Sequence, residues 1–213
     1  MKDDFFKTVE EFKETQPARK LIACALKELR PTKNDWFASF ISVVFSILFS
    51  IWIGFSIDTV STLSAICDKV INVQLAVFGC IFAVYSILLA FLSDGYMKRL
   101  SRIQVAGKMS MLKKSIMYYE SVLFLYFINI AVTGLVILLT ECISPNASLT
   151  SVLLWDNVLA TIAIFIYFVF TFRVFYEIKS TIYNTIVLFR ASIAYRFLDF
   201  SVEDDKKDRD EDK

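Results

Sequence analysis

Four long apolar runs, at residues 36–57, 70–93, 121–140 and about 152–172, alternate with charged stretches, and only Asp156 interrupts the last run. A bilayer's hydrocarbon core is about 30 Å thick and a helix rises about 1.5 Å per residue, so each run is long enough to span it. In lipid the backbone must satisfy its own hydrogen bonds, so the runs are read as helices. The expected fold is all-α: a four-helix transmembrane bundle with cytoplasmic amphipathic helices. Its parts are a cytoplasmic segment at 1–35, a transmembrane domain at 36–175 with spans at about 36–57, 70–93, 120–140 and 152–174, a cytoplasmic extension of the fourth helix at 176–202, and a charged tail at 203–213.

The pattern inside the runs is also informative. The first carries Ser42, Ser46, Ser50 and Gly54, a small residue at every fourth position. The second carries Ala76, Gly79, Cys80, Ala83, Ser86 and Ala90 on one face. Small residues let helix backbones approach closely in lipid, so Ser42, Ser46, Ser50, Gly54, Gly79 and Ala83 are expected at helix-packing positions. A subunit interface or a pore lining is the alternative for the same residues.

Outside the runs, Phe5, Phe6, Val9 and Phe12 recur at helical spacing behind Asp3 and Asp4, and Pro17 interrupts them. Leu21, Ile22, Ala25, Leu26 and Leu29 form a second apolar stripe that Pro31 ends. This segment reads either as an amphipathic helix on the inner membrane surface or as a docking helix for a cytosolic partner. After Pro145 the chain has neither Gly nor Pro, so the fourth helix is expected to run on past Arg173. Ile178, Ile182, Ile186, Phe189, Ile193, Phe197 and Phe200 continue the apolar stripe there. Such a stripe needs a cover. We expect Ile182, Ile186, Phe189, Ile193 and Phe197 to form an oligomer or partner surface. The last eleven residues are all charged and are expected to be disordered.

Charge sets the orientation. Eight Lys or Arg precede the first run, six lie between residues 94 and 120, and eight follow from Arg173. The other two loops together hold only Lys69. The positive-inside rule then puts both termini and the central loop in the cytoplasm. The basic residues of that loop suit anionic headgroups, and no direct nucleic-acid binding is expected. Asp156 suits the positive N-terminal end of the fourth helix. Glu120 and Arg173, at the cytoplasmic ends of the third and fourth helices, form a possible ion pair or reach the headgroups separately.

Candidate chemistry is sparse. The chain has no histidine, which removes His-based catalysis and His-ligated metals. Its five glycines are isolated, so no phosphate-cradling loop is present. No catalytic residue, cofactor or metal site is expected, and the chain is read as a non-enzyme. Of the four cysteines, Cys67 and Cys142 fall at similar depth outside the second and third spans, so a disulfide between them is possible in an oxidising exterior. Asn146-Ala147-Ser148 has the form of a glycosylation sequon on that side.

Length, span count and topology, together with Ile87-Leu88-Leu89-Ala90-Phe91-Leu92-Ser93 leading into Tyr96-Met97-Lys98-Arg99-Leu100, give the chain a resemblance. It resembles the membrane subunit (KwaA) of the bacterial Kiwa anti-phage defence system. The resemblance implies a homo-oligomeric sensor of envelope disturbance in the bacterial inner membrane. A tetramer and a cytosolic effector partner docked on the inner face follow from it. It carries over no functional residue. The alternative from the residues themselves is an oligomeric channel or pore-forming effector.

Overall fold

A computed structural model describes residues 18–29, 36–91, 104–105, 109–143 and 153–211. Five helices account for nearly all of them: α1 (Ala18–Glu28), α2 (Trp36–Gly54), α3 (Thr59–Phe91), α4 (Met111–Cys142) and α5 (Leu153–Glu211). The strands β1 (Gln104–Val105) and β2 (Met109–Ser110) form one antiparallel ladder, with Gln104 opposite Ser110 and Val105 opposite Met109. The architecture is all-helical apart from that two-residue pairing.

Three stretches are long and apolar enough to cross a membrane: Thr59–Ala90, Met111–Cys142 and Leu154–Ala194. A shorter apolar helix covers Ser39–Gly54. Packing is inverted relative to a water-soluble bundle. Leu138 is 64% exposed and Trp52, Ile166 and Leu135 are also on the surface, whereas Asn129, Thr133, Thr171 and Gln74 are fully buried. An apolar exterior around a partly polar interior suits lipid as the surrounding solvent.

The helix boundaries depart from the apolar runs in three places. The second apolar run opens at 70, but α3 begins at Thr59, inside the expected 58–69 loop. The Asp58 carbonyl accepts the Thr62 amide at 2.9 Å, starting the helix. Asp68 and Lys69 immediately precede the apolar run but lie on the exposed side, where charge does not break a helix. Helix α4 begins at Met111, a decade before its apolar run, because Ser110 caps it: the Lys113 amide donates to Ser110 Oγ at 3.3 Å. The charged tail expected to be disordered is helical through Glu211. Glu203 precedes Lys207, and Asp205 precedes Arg209, by four residues, an order that supports a helix. The expected helix around Phe5–Phe12, the central residues 92–103 and the Asn146 sequon lie outside the described residues.

The chain divides into two compact units. The first comprises Ala18–Cys80 and Ser121–Ile178; the described residues of the second come from Ile81–Glu120 and Lys179–Lys213. In the first unit, Ile53, Cys67, Ile164, Tyr167 and Phe168 form a core joined by Phe49, Leu63, Val136 and Phe172. Phe49 meets Phe168 and Phe172 at 5.6 and 5.8 Å between ring centroids. At the end of α2, Gly54 lies against Thr161, and a Cβ there would overlap the Thr161 side chain and come within 3.1 Å of its Cα. In the second unit Leu88, Leu112 and Tyr119 form the core, with Tyr85, Ile116, Leu188 and Ala191 around it.

Candidate functional site: a buried polar seam and an arginine clasp

Within the first unit, α4 and α5 are joined by three buried polar contacts. Tyr126 donates its hydroxyl to the Val174 carbonyl at 3.1 Å. Thr171 Oγ1 donates to Asn129 Oδ1 at 3.2 Å. Thr133 Oγ1 and the Tyr167 hydroxyl share a hydrogen bond at 3.0 Å. Steps of three and then four residues along α4 are matched by the same steps backwards along α5, so the helices run antiparallel in a fixed register. Thr133 also donates to the Asn129 carbonyl at 2.9 Å, which links two of the contacts. The Cys67 thiol of α3 lies within hydrogen-bonding reach of Tyr167.

The second unit has its own version. Tyr119 shares a hydrogen bond with Thr185 at 2.8 Å, and Tyr118 with Thr181 at 3.4 Å. Thr185 also donates to the Thr181 carbonyl at 2.7 Å. Glu120 lies within hydrogen-bonding reach of Tyr85, whose ring stacks on Tyr119 at 6.1 Å.

Arg173 is a buried cation held by several partners. It is 8% exposed, and Glu177, one turn along α5, is 5% exposed. Arg173 Nη2 lies 3.4 Å from Glu177 Oε1. Arg173 Nε donates to the Leu29 carbonyl at 3.1 Å, and the guanidinium sits 5.4 Å from the Tyr176 ring centroid. Leu29 immediately follows α1, so the guanidinium caps the carbonyl end of that helix, where a cation is favourable. Ala25 of α1 is fully buried. The amphipathic segment expected either on the membrane surface or as a docking arm is thus clasped to α5 through its last turn.

No protein-family model, curated protein or solved structure matches this chain.

Geometry therefore has to carry the functional reading. Ser42, Ser46 and Ser50 are buried in the first unit, with Ser46 donating to the Ser42 carbonyl at 2.7 Å and Ser50 to the Ile47 carbonyl at 3.0 Å. Gly54 packs on Thr161. Gly79 and Ala83 are exposed, and a Cβ on Gly79 would meet nothing within 4 Å. The small-residue face of α3 is therefore turned outward, since Cys67 and Gln74 occupy the inward face. Within the first unit Arg173 pairs with Glu177, an i,i+4 carboxylate on its own helix, whereas Glu120 belongs to the second unit. Cys67 and Cys142 are both free thiols: Cys67 is enclosed by the first unit's core, while Cys142 is exposed at the end of α4. Ile182, Ile186, Ile193 and Phe197 are exposed, and Phe189 is half-buried. Among the described residues no cluster of His, Cys, Asp or Glu could hold a metal ion.

Sequence reasoning singled out Arg173 but missed Glu177 and the Leu29 carbonyl. The i,i+4 spacing of Arg173 and Glu177 was the available signal. The Tyr–Thr contacts left a weaker one, hydroxyl residues recurring every three to four positions within otherwise apolar runs.

Proposed function

We propose that this chain is a sensor and scaffold of the bacterial inner membrane, serving anti-phage defence. It crosses the membrane four times with both termini in the cytoplasm, assembles as a homo-oligomer, and recruits a cytosolic effector. The near absence of Lys and Arg from the segments after α2 and α4 supports the orientation. At 19 residues, α2 is about 28 Å long, close to the thickness of the hydrocarbon core.

One observation carries the scaffold reading. The apolar part of α5, Leu154–Ala194, is 41 residues long, or about 60 Å, twice what the hydrocarbon core covers. Counting about 20 residues from Leu154 reaches Arg173, the first cation of the helix. Beyond it, Ile182, Tyr183, Ile186, Val187, Ile193 and Phe197 still face outward, with Phe197 71% exposed. Lys179 and Arg190 are exposed on the same reach, which does not suit immersion in hydrocarbon. A protein surface covers this stripe. The outward small-residue face of α3 supplies a second place where another copy can approach closely.

Against the pore alternative, Ser42, Ser46 and Ser50 are buried within the subunit, and the Ser46 and Ser50 hydroxyls are bonded to their own helix. Native mass spectrometry of the chain in lipid nanodiscs tests the proposal alongside planar-bilayer recording. The proposal expects a discrete oligomer and no conductance. Steady single-channel currents from the purified chain, or a monomer at every concentration, would overturn it.

A further inference from the structure

The middle of the first unit carries buried amide groups that the seam leaves unsatisfied. Gln74 and Asn129 are both 0% exposed. Among the described residues, neither Gln74 Oε1 nor Gln74 Nε2 has a hydrogen-bonding partner, and Asn129 Nδ2 has none either. Asn129 gives only its oxygen to Thr171. Exchanging the amide's two ends leaves one of them unsatisfied in either orientation, because Thr171 offers a single hydroxyl. Gln74 lies on the buried face of α3, while its neighbours Val73 and Leu75 face outward.

Register brings the two amides to the same height. Ile71 contacts Gly134, reaching within 4.0 Å of a Cβ built there. Cys67, one turn before Ile71, belongs to the core that takes in Val136 and Ile137, which follow Gly134. Helices α3 and α4 therefore run antiparallel in this unit. One turn beyond Ile71, Gln74 comes level with residue 130 of α4, between Asn129 and Thr133 on that helix's inner side. Cys67 and Gln74 are seven residues apart and share the buried face of α3.

We propose that Gln74 and Asn129 form a water-binding site at the junction of α3, α4 and α5. The chemistry selects the ligand. The unsatisfied groups are two amide donors and one amide acceptor, with no formal charge. A metal ion cannot accept from the two N–H groups, and an anion cannot donate to Gln74 Oε1. Water does both: it accepts from Asn129 Nδ2 or Gln74 Nε2 and donates to Gln74 Oε1. Buried polar groups without a protein partner are the sites internal waters occupy, each making about three hydrogen bonds. The site joins α3 to the α4–α5 seam by hydrogen bonds that tolerate small shifts of the helix.

Water-edited solid-state NMR on the full chain in proteoliposomes tests this. The sequence has only three glutamines, Gln16, Gln74 and Gln104. In a Gln16→Glu, Gln104→Glu variant, selectively labelled glutamine reports Gln74 alone, without touching the site. The proposal expects magnetisation from water to reach Gln74 Nε2 within about twofold of the build-up time at an exposed amide, as contact with an ordered internal water requires. Asn129→Leu should slow that build-up. A Gln74 signal about tenfold slower than an exposed amide would overturn the proposal. So would a direct through-space contact from Gln74 Nε2 to Asn129 Oδ1, because the amides would then satisfy each other.

Discussion

Replacing Arg173 with Met while leaving Glu177 in place is the most diagnostic change to this fold. Met keeps the length and apolar stem of the side chain and removes the guanidinium. The Glu177 carboxylate, 5% exposed, is left without the cation that sits 3.4 Å from it. Removing one member of a buried ion pair costs about 3–5 kcal/mol, mostly through the remaining charge. The Leu29 carbonyl also loses its donor, but it is only half-buried and can turn to water. The double change Arg173→Met, Glu177→Met removes both charges together and should cost clearly less than Arg173→Met alone, because no unmatched buried charge remains from the pair. Reversible unfolding in mixed micelles of rising SDS fraction compares both variants with the parent chain. A spin label at Leu26, exposed on α1, should become more mobile in both Met variants, because each loses the clasp on Leu29. If Arg173→Met alone is neutral, or the double variant is as unstable as the single, the clasp does not hold as described.

Other changes probe separate parts of the structure. Gly54→Ala should destabilise by about 1–3 kcal/mol through overpacking against Thr161, while Gly79→Ala should be within about 0.5 kcal/mol of neutral, both read by the same unfolding assay. Tyr119→Phe removes the hydroxyl that meets Thr185 and should cost about 1–3 kcal/mol, since Thr185 is buried. Cys142 should label with an external maleimide without reductant, whereas Cys67 should stay unlabelled until the chain is unfolded, as scored by mass shift. Reporter fusions at Lys108 and after Lys213 should read cytoplasm and those at Asp58 and Ser148 the exterior; a cytoplasmic report at Ser148 would reverse the charge argument.

Hydropathy made the helical class and the three long apolar helices legible, because lipid leaves the backbone few alternatives. It misjudged their ends wherever polar residues continue a helix beyond its apolar run. Asp68 and Lys69 look like loop residues but sit on an exposed side of α3. The Ser110 cap that starts α4 is visible only once the helix start is known. The serine stripe of α2 reads the same whether it faces a neighbouring helix, a pore or a second copy, since composition alone does not say which face is inside. The same ambiguity hid the outward turn of Gly79 and Ala83. Arg173 stood out because charge is rare so near a span, but the residues it holds depend on how α1 returns to α5, and a single sequence does not encode that visibly.

The proposal rests above all on what covers the outward face of α5 beyond Arg173. Spin labels placed one at a time at Ile162, Ile166, Ile186, Ile193 and Phe197, in a cysteine-free chain reconstituted in liposomes, report that directly through collision with oxygen, which concentrates in lipid, and with a water-soluble nickel chelate. Ile162 and Ile166 should collide with oxygen, as lipid-facing sites do. Ile186, Ile193 and Phe197 should be shielded from both reagents by a neighbouring copy of the chain. High oxygen collision at Phe197 would put the stripe in lipid, and high nickel collision would put it in water; either result would contradict the scaffold.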